Sequence, residues 1–133
     1  MKKWTLVILL ISVSVISCSQ TEGPSTDPVM FQVKVDSISH PSSVALGDTA
    51  DIRFFGVVGP DGCDSFSHFL VIRQPASVDF AVWGKRSQAN ACPAVVVYLD
   101  GNTYGYVPSQ QGMLQISIHQ PDGSTLKDSL LVE

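Results

Sequence analysis

A chain of 133 residues with 44% hydrophobic and 15% charged side chains holds enough apolar material for one packed core, and too much to stay disordered. Eight basic residues stand against twelve acidic ones, and beyond Lys2-Lys3 the only adjacent basic pair is Lys85-Arg86. That balance excludes a basic face for nucleic acid or for electrostatic docking on anionic lipid.

The first elements concern address. Lys2 and Lys3 form a positive n-region, Leu6 to Val15 an apolar stretch broken only by Ser12 and Ser14, and Ser17 a small residue ahead of a processing point. This is the pattern of a secretory signal over residues 1–17. It is shorter than the roughly 20 apolar residues of a spanning helix, and no charged stop-transfer flank follows.

The junction Val15-Ile16-Ser17-Cys18 resembles the lipobox of bacterial lipoproteins, with an aliphatic first position, a small residue and then the cysteine. The resemblance implies that residues 1–17 are removed, that the Cys18 thiol is lipidated and its new amine acylated, and that the protein is held in the bacterial cell envelope. Several acyl chains on one residue hold firmly where one binds marginally. Ser19 follows instead of Asp, which in the enteric sorting pattern directs a lipoprotein to the outer membrane. The alternative is an ordinary signal peptide with a chance cysteine. Loss of Lys2 and Lys3 leaves six basic against twelve acidic side chains, a charge of about −6 that favours solubility.

With Cys18 lipidated, Cys63 and Cys92 remain, and in an oxidising compartment two cysteines pair by default. A bridge closing a loop of this length stabilises a fold by roughly 3.5 kcal/mol in the chain-entropy account. A reactive thiol or metal ligand is the weaker alternative, because neither cysteine has a histidine or second cysteine at ligand spacing.

Residues 18–28 begin at Cys18 and continue SQTEGPSTDP, polar and without periodicity, which reads as a tether of roughly 18 Å end-to-end distance. From residue 29 to residue 133 the hydropathy has period two, punctuated by Gly, Pro and Asp, and no window shows a helical stripe. Strands are expected at FQVKVDSI, ADIRFFGVV, SFSHFLVIR, VDFAVWGK, AVVVYL, GMLQISIHQP and STLKDSLLV. Turns are expected at Gly59-Pro60-Asp61-Gly62, Asp100-Gly101-Asn102 and Pro121-Asp122-Gly123. Seven or eight short antiparallel strands of this kind argue for an all-β fold, an immunoglobulin-like β-sandwich. The cysteine spacing departs from antibody domains, since Trp83 lies nine residues before Cys92 and not soon after the first cysteine.

Residues 30–133 resemble a loose group of short, uncharacterised lipoproteins, many from Bacteroidetes-type bacteria, with Ig-like domains. The matching features are Val44-Ala45-Leu46-Gly47-Asp48-Thr49, Gly62-Cys63 followed by Phe66 and Phe69, Cys92, and Gly112 before an alternating strand. The resemblance implies a fold and brings no activity and no functional residue.

Catalytic patterns are missing. His40, His68 and His119 stand alone in sequence, with no HxH, HxxxH or HExxH spacing, and there is no Gly-x-Ser-x-Gly elbow. The pairs Asp61/Asp64 and Asp48/Asp51 lack the dense Asp/Asn/Gly series of a calcium loop and read as solvated turn aspartates. No catalytic residue, metal or cofactor is therefore expected. The aromatic residues are the candidates for binding: Trp83 shares a strand face with Asp79, Ala81 and Lys85, while Tyr104 and Tyr106 alternate toward one side. Trp83, Tyr104 and Tyr106 on a shared surface would form a contact patch for a glycan or protein partner; the alternative is that Trp83 fills the end of the sandwich beneath a loop and the tyrosines cap the core with their hydroxyls in water. The expectation is a lipid-anchored envelope module that binds or assembles without catalysis. The competing class is a small envelope enzyme or metal-dependent protein, which requires His40, His68, His119, Asp61 or Asp64 to converge in a concave site.

Overall fold

The computed structural model describes residues 26–133; the expected signal sequence, Cys18 and the first part of the expected tether lie outside the described residues. Every regular element among them is a strand: β1 Val29–Gln32, β2 Ser37–Ser39, β3 Ser43–Val44, β4 Ala50–Phe55, β5 Val57–Gly59, β6 Asp64–Gln74, β7 Ser77–Arg86, β8 Val97–Tyr98, β9 Thr103–Tyr106, β10 Gly112–His119 and β11 Thr125–Val132. None of the described residues forms a helix long and apolar enough to cross a membrane.

The strands make an all-β sandwich. Strand β7 organises the larger sheet, because one of its edges carries β6 along its whole length while the other is shared by two strands. Strand β10 takes Ser77–Phe80 in parallel and β1 takes Trp83–Arg86 in antiparallel, after which β11 and β3 continue the sheet beyond β10. The smaller sheet runs β2-β4-β9, and β5 and β8 form a separate two-stranded ladder. Two short parallel ladders, β7 with β10 and β3 with β11, are exceptions to the expected antiparallel pairing.

Alternation places the core. Ala50, Ile52 and Phe54 of β4, Val78, Phe80 and Val82 of β7, Leu114, Ile116 and Ile118 of β10, and Leu130 and Val132 of β11 are buried between the sheets. Rings join the two layers: Phe54 and Phe80 meet edge to face at 5.2 Å, and Phe69 packs on Phe54 at 4.7 Å. Gly84 is buried among them because the Phe31 ring lies where a side chain would stand; an added Cβ would be 2.7 Å from that ring.

The chain crosses from the larger to the smaller sheet at residues 33–36, and a buried amide secures the crossing. Gln120 donates from Nε2 to the Val35 carbonyl at 2.8 Å and accepts from the Val35 N–H at 3.0 Å, imitating a strand partner. Its backbone closes the Pro121-Asp122-Gly123 turn, in which Gly123 takes φ +82° and Asp122 accepts from the Ser124 N–H.

Four local features differ from the expected pattern. FQVKVDSI is not one strand, because β1 ends at Gln32 and the chain changes sheets before β2 begins at Ser37. Of AVVVYL only Val97–Tyr98 pairs, because Pro93 has no N–H and Val95 turns back to donate to the Pro93 carbonyl. Strand β9 is additional, with Gly105 lying between two tyrosines and close against Thr49. In Gly59-Pro60-Asp61-Gly62 neither glycine takes positive φ; Gly59 instead leaves the space that the Asp64 carboxylate fills.

Candidate interaction surface

Strand β6 forms one edge of the larger sheet, and among the described residues it pairs only with β7. A β-bulge between Phe66 and His68 sets which of its side chains face outward. Phe66 lies opposite Gly84 on the core side; strict alternation from there would also turn His68, Leu70 and Ile72 inward. The extra residue, Ser67, reverses the phase. Phe69 and Val71 pack on the core, and His68, Leu70 and Ile72 are left outside, with Leu70 52% and Ile72 55% exposed.

Across the ladder these three face Trp83, Ala81 and Asp79. The His68 and Trp83 rings are parallel to within 7° with centroids 6.4 Å apart, and Gln32 of β1 stands opposite Trp83 on its other flank. Gln32 donates from Nε2 to the His119 carbonyl at 2.6 Å, and His119 Nε2 lies 3.7 Å from Asp79 Oδ1. The result is an apolar strip of Leu70, Ile72, Ala81 and Trp83 with a polar rim, beside a strand whose outer N–H and C=O groups have no strand partner among the described residues.

The structure does not bring Tyr104 and Tyr106 to this surface. Both lie on the core side of β9: Tyr106 is buried, and Tyr104 meets Phe69 and Phe80 edge to face at 5.7 and 5.2 Å. Arg73, on the inward face of β6, closes the gap between the sheets by standing 5.7 Å over each tyrosine ring and donating to the Tyr104 hydroxyl. The three aromatic residues thus belong to different sheets, the tyrosines turned into the core from β9 of the smaller sheet and Trp83 turned outward from β7 of the larger one.

Nor do the histidines and aspartates converge. His40 lies with Nε2 3.2 Å from Asp128, His68 is on the strip, and His119 is beside Asp79. Asp61 and Asp64 are not solvated turn residues: both bind Arg86. Its guanidinium spans the two oxygens of Asp61 at 2.9 and 3.1 Å and reaches Asp64 Oδ2 at 2.8 Å. The Asp64 side chain is only 4% exposed. Asp61, Cys63 and Cys92 cluster at metal-ligand spacing, but the two sulfurs are bonded to each other and the carboxylate is held by a cation. The group is a structural clamp in which bridge and ion pair fasten the same corner. An open polar depression of about 400 Å³ on the other sheet, lined by Ser39, His40, Thr49, Asp51 and Arg53 among others, has no apolar lining beyond Pro41.

Arg86 and the Cys63 N–H hold the Asp61 carboxyl below the ordinary carboxylate range, and hydrogen bonds from Ser124 do the same for Asp122. A carboxyl depressed in the folded state contributes stability that is present above its unfolded value and lost as pH falls through the folded one. Urea midpoints are therefore expected to hold steady from pH 7 to about pH 5 and to fall below about pH 4. An Asp61→Asn variant should show a shallower acid loss; an unchanged profile would mean that Asp61 does not carry it.

Comparison with family models, with curated proteins and with solved structures finds no match.

Proposed function

We propose that the chain is a lipid-anchored protein of the bacterial cell envelope, held in the outer membrane through Cys18, and that its sandwich is a noncatalytic binding or assembly module. The Val15–Cys18 junction after a signal-like stretch supports the anchor. The observation that carries the binding role is the unpaired β6 edge with exposed Leu70 and Ile72 beside Trp83. Such an edge suits an extended segment of an envelope protein, whose backbone would continue the sheet while alternate side chains cover the apolar strip. The partner is a protein strand in preference to a glycan, because Trp83 is half-buried between His68 and Gln32 and does not lie open as a platform.

Intact mass of the protein from its native membrane fraction, beside a Cys18→Ala variant, tests the anchor: residues 18–133 plus diacylglycerol and acyl mass is the expected result. A photoreactive side chain placed at Leu70 or Ile72 in living cells is expected to give a discrete protein adduct, and one at Leu131 on the same sheet face none. A lipidated protein that gives no adduct at either β6 position would remove this surface as the contact.

A further inference from the structure

The described chain starts at one end of the larger sheet, and that end has an apolar character of its own. Val29 of β1 stands opposite Arg86, and Arg86 stands opposite Asp64, so the entry of the chain, the end of β7 and the start of β6 share one rim of the sandwich. The Cys63–Cys92 bridge fastens residues 88–96 to the same rim, with Gly62 donating to the Pro93 carbonyl and Ser87 to the Cys63 carbonyl. Gly59, which faces Val97 in the β5–β8 ladder, lies against Asp64, so β8 is held there too. Val29, Met30, Val95, Val96 and Tyr98 are all exposed at or next to this rim, Val29 and Val95 at 56% each.

We infer that this rim is a second contact surface and that its occupant is the lipid bilayer, with the valine side chains in the headgroup–acyl boundary. The inference rests on the anchor proposed above. Thr26 lies at this rim, in one depression with Ser65, Lys85 and Ser87, and eight residue steps separate it from Cys18, which limits the distance between anchor and rim to about 28 Å even for a fully extended chain. The rim therefore never leaves the neighbourhood of the membrane, and its exposed apolar groups meet lipid at high effective concentration. The charges here largely cancel, because Arg86 and its neighbour Lys85 stand against Asp61 and Asp64. The Lys85 stem and the Tyr98 hydroxyl are the kinds of group that reach the headgroup layer while their apolar parts stay below it. Docking of this kind is apolar and independent of anionic lipid, in keeping with the acidic composition.

Seating the rim also orients the module. Strand β6 runs away from the rim, and at about 3.3 Å per residue Ile72 stands roughly 26 Å above Asp64. The unpaired edge would then face the envelope space, where a partner can reach it.

The lipidated full-length product, reconstituted in phosphatidylcholine nanodiscs containing a gadolinium-headgroup lipid, provides the test. Methyl resonances of Val29, Val95 and Val96 are expected to broaden several-fold more than those of Leu70, Ile72 and Leu131. A loose tether alone would also favour the near end, so a Val95→Asp, Val96→Asp variant separates the two: seating predicts that broadening at Val29 falls several-fold while intact mass still shows the lipid. Equal broadening in the variant and the wild type, or strongest broadening at Leu70 and Ile72, overturns the inference and leaves the anchor standing. A chain whose mass carries no lipid overturns both.

Discussion

Replacing Phe80 with alanine is expected to lower the unfolding free energy by about 3–5 kcal/mol, the range for removing a buried aromatic side chain and leaving a cavity. Phe80 is fully buried on β7 and joins strands from both sheets. It meets Phe54 of β4 at 5.2 Å, Tyr104 of β9 at 5.2 Å and Phe69 of β6 at 6.4 Å. Each edge-to-face contact adds something beyond the area it buries, so the loss should lie toward the upper end of the range. Relaxation offers little relief, because the backbone around the cavity is held by three ladders of one sheet and β4 of the other. Urea unfolding followed by Trp83 fluorescence measures the effect, with Phe66→Ala as a comparison. Phe66 is partly buried and touches only Phe69 among the rings, so its removal should cost clearly less. A loss under about 1.5 kcal/mol for Phe80→Ala would mean that the two sheets are not held together through these rings.

Where one face of a strand is wet, its period is legible in the residues themselves: β10 and the start of β7 alternate along the chain as they do in space. Trp83 falls opposite Phe80 and Val82 for the same reason. Strand β6 cannot be phased this way, since Phe69-Leu70-Val71-Ile72 is apolar at every position. Its phase comes from the Phe66/His68 bulge, which depends on pairing with β7 and leaves no local trace. Tyr104 and Tyr106 have the opposite difficulty: alternation puts them on one side, and only the packing of β9 on β4 decides that this side is the core. The Arg86 clamp joins residues more than twenty positions apart, and Gln120 reaches across 85. Such polar contacts are fixed by topology, so in the bare chain each aspartate looks like a turn residue and Gln120 like a strand end. The pairing of Cys63 with Cys92 can be anticipated because it follows from the cysteine count and from the compartment that the N-terminal pattern implies, not from geometry.

Loss of the Cys63–Cys92 bridge should be the other large effect. The cysteines are 29 residues apart with Cα atoms 5.2 Å apart, and the chain-entropy account gives about 3.5 kcal/mol for a loop of this size. A Cys63→Ala, Cys92→Ala variant and reduced wild type are expected to lose similar amounts, since both release the same constraint on the unfolded chain. The folded state should also respond, and locally. No strand runs between Arg86 and Val97, and the corner has few backbone hydrogen bonds beyond those joining Gly62 to Pro93 and Ser87 to Cys63. The bridge substitutes for a ladder there, so amide exchange in residues 88–96 should accelerate more than exchange in β10 or β11. Arg86 limits the damage by gripping Asp61 and Asp64 whether or not the sulfurs are joined, which keeps β6 and β7 in register. The pattern of exchange separates two origins of the loss. A drop in global stability with uniform exchange would place the whole effect in the unfolded chain. A drop of less than about 1 kcal/mol with fast exchange confined to residues 88–96 would make the bridge a fastener of one rim, leaving the ring cluster around Phe80 to hold the fold.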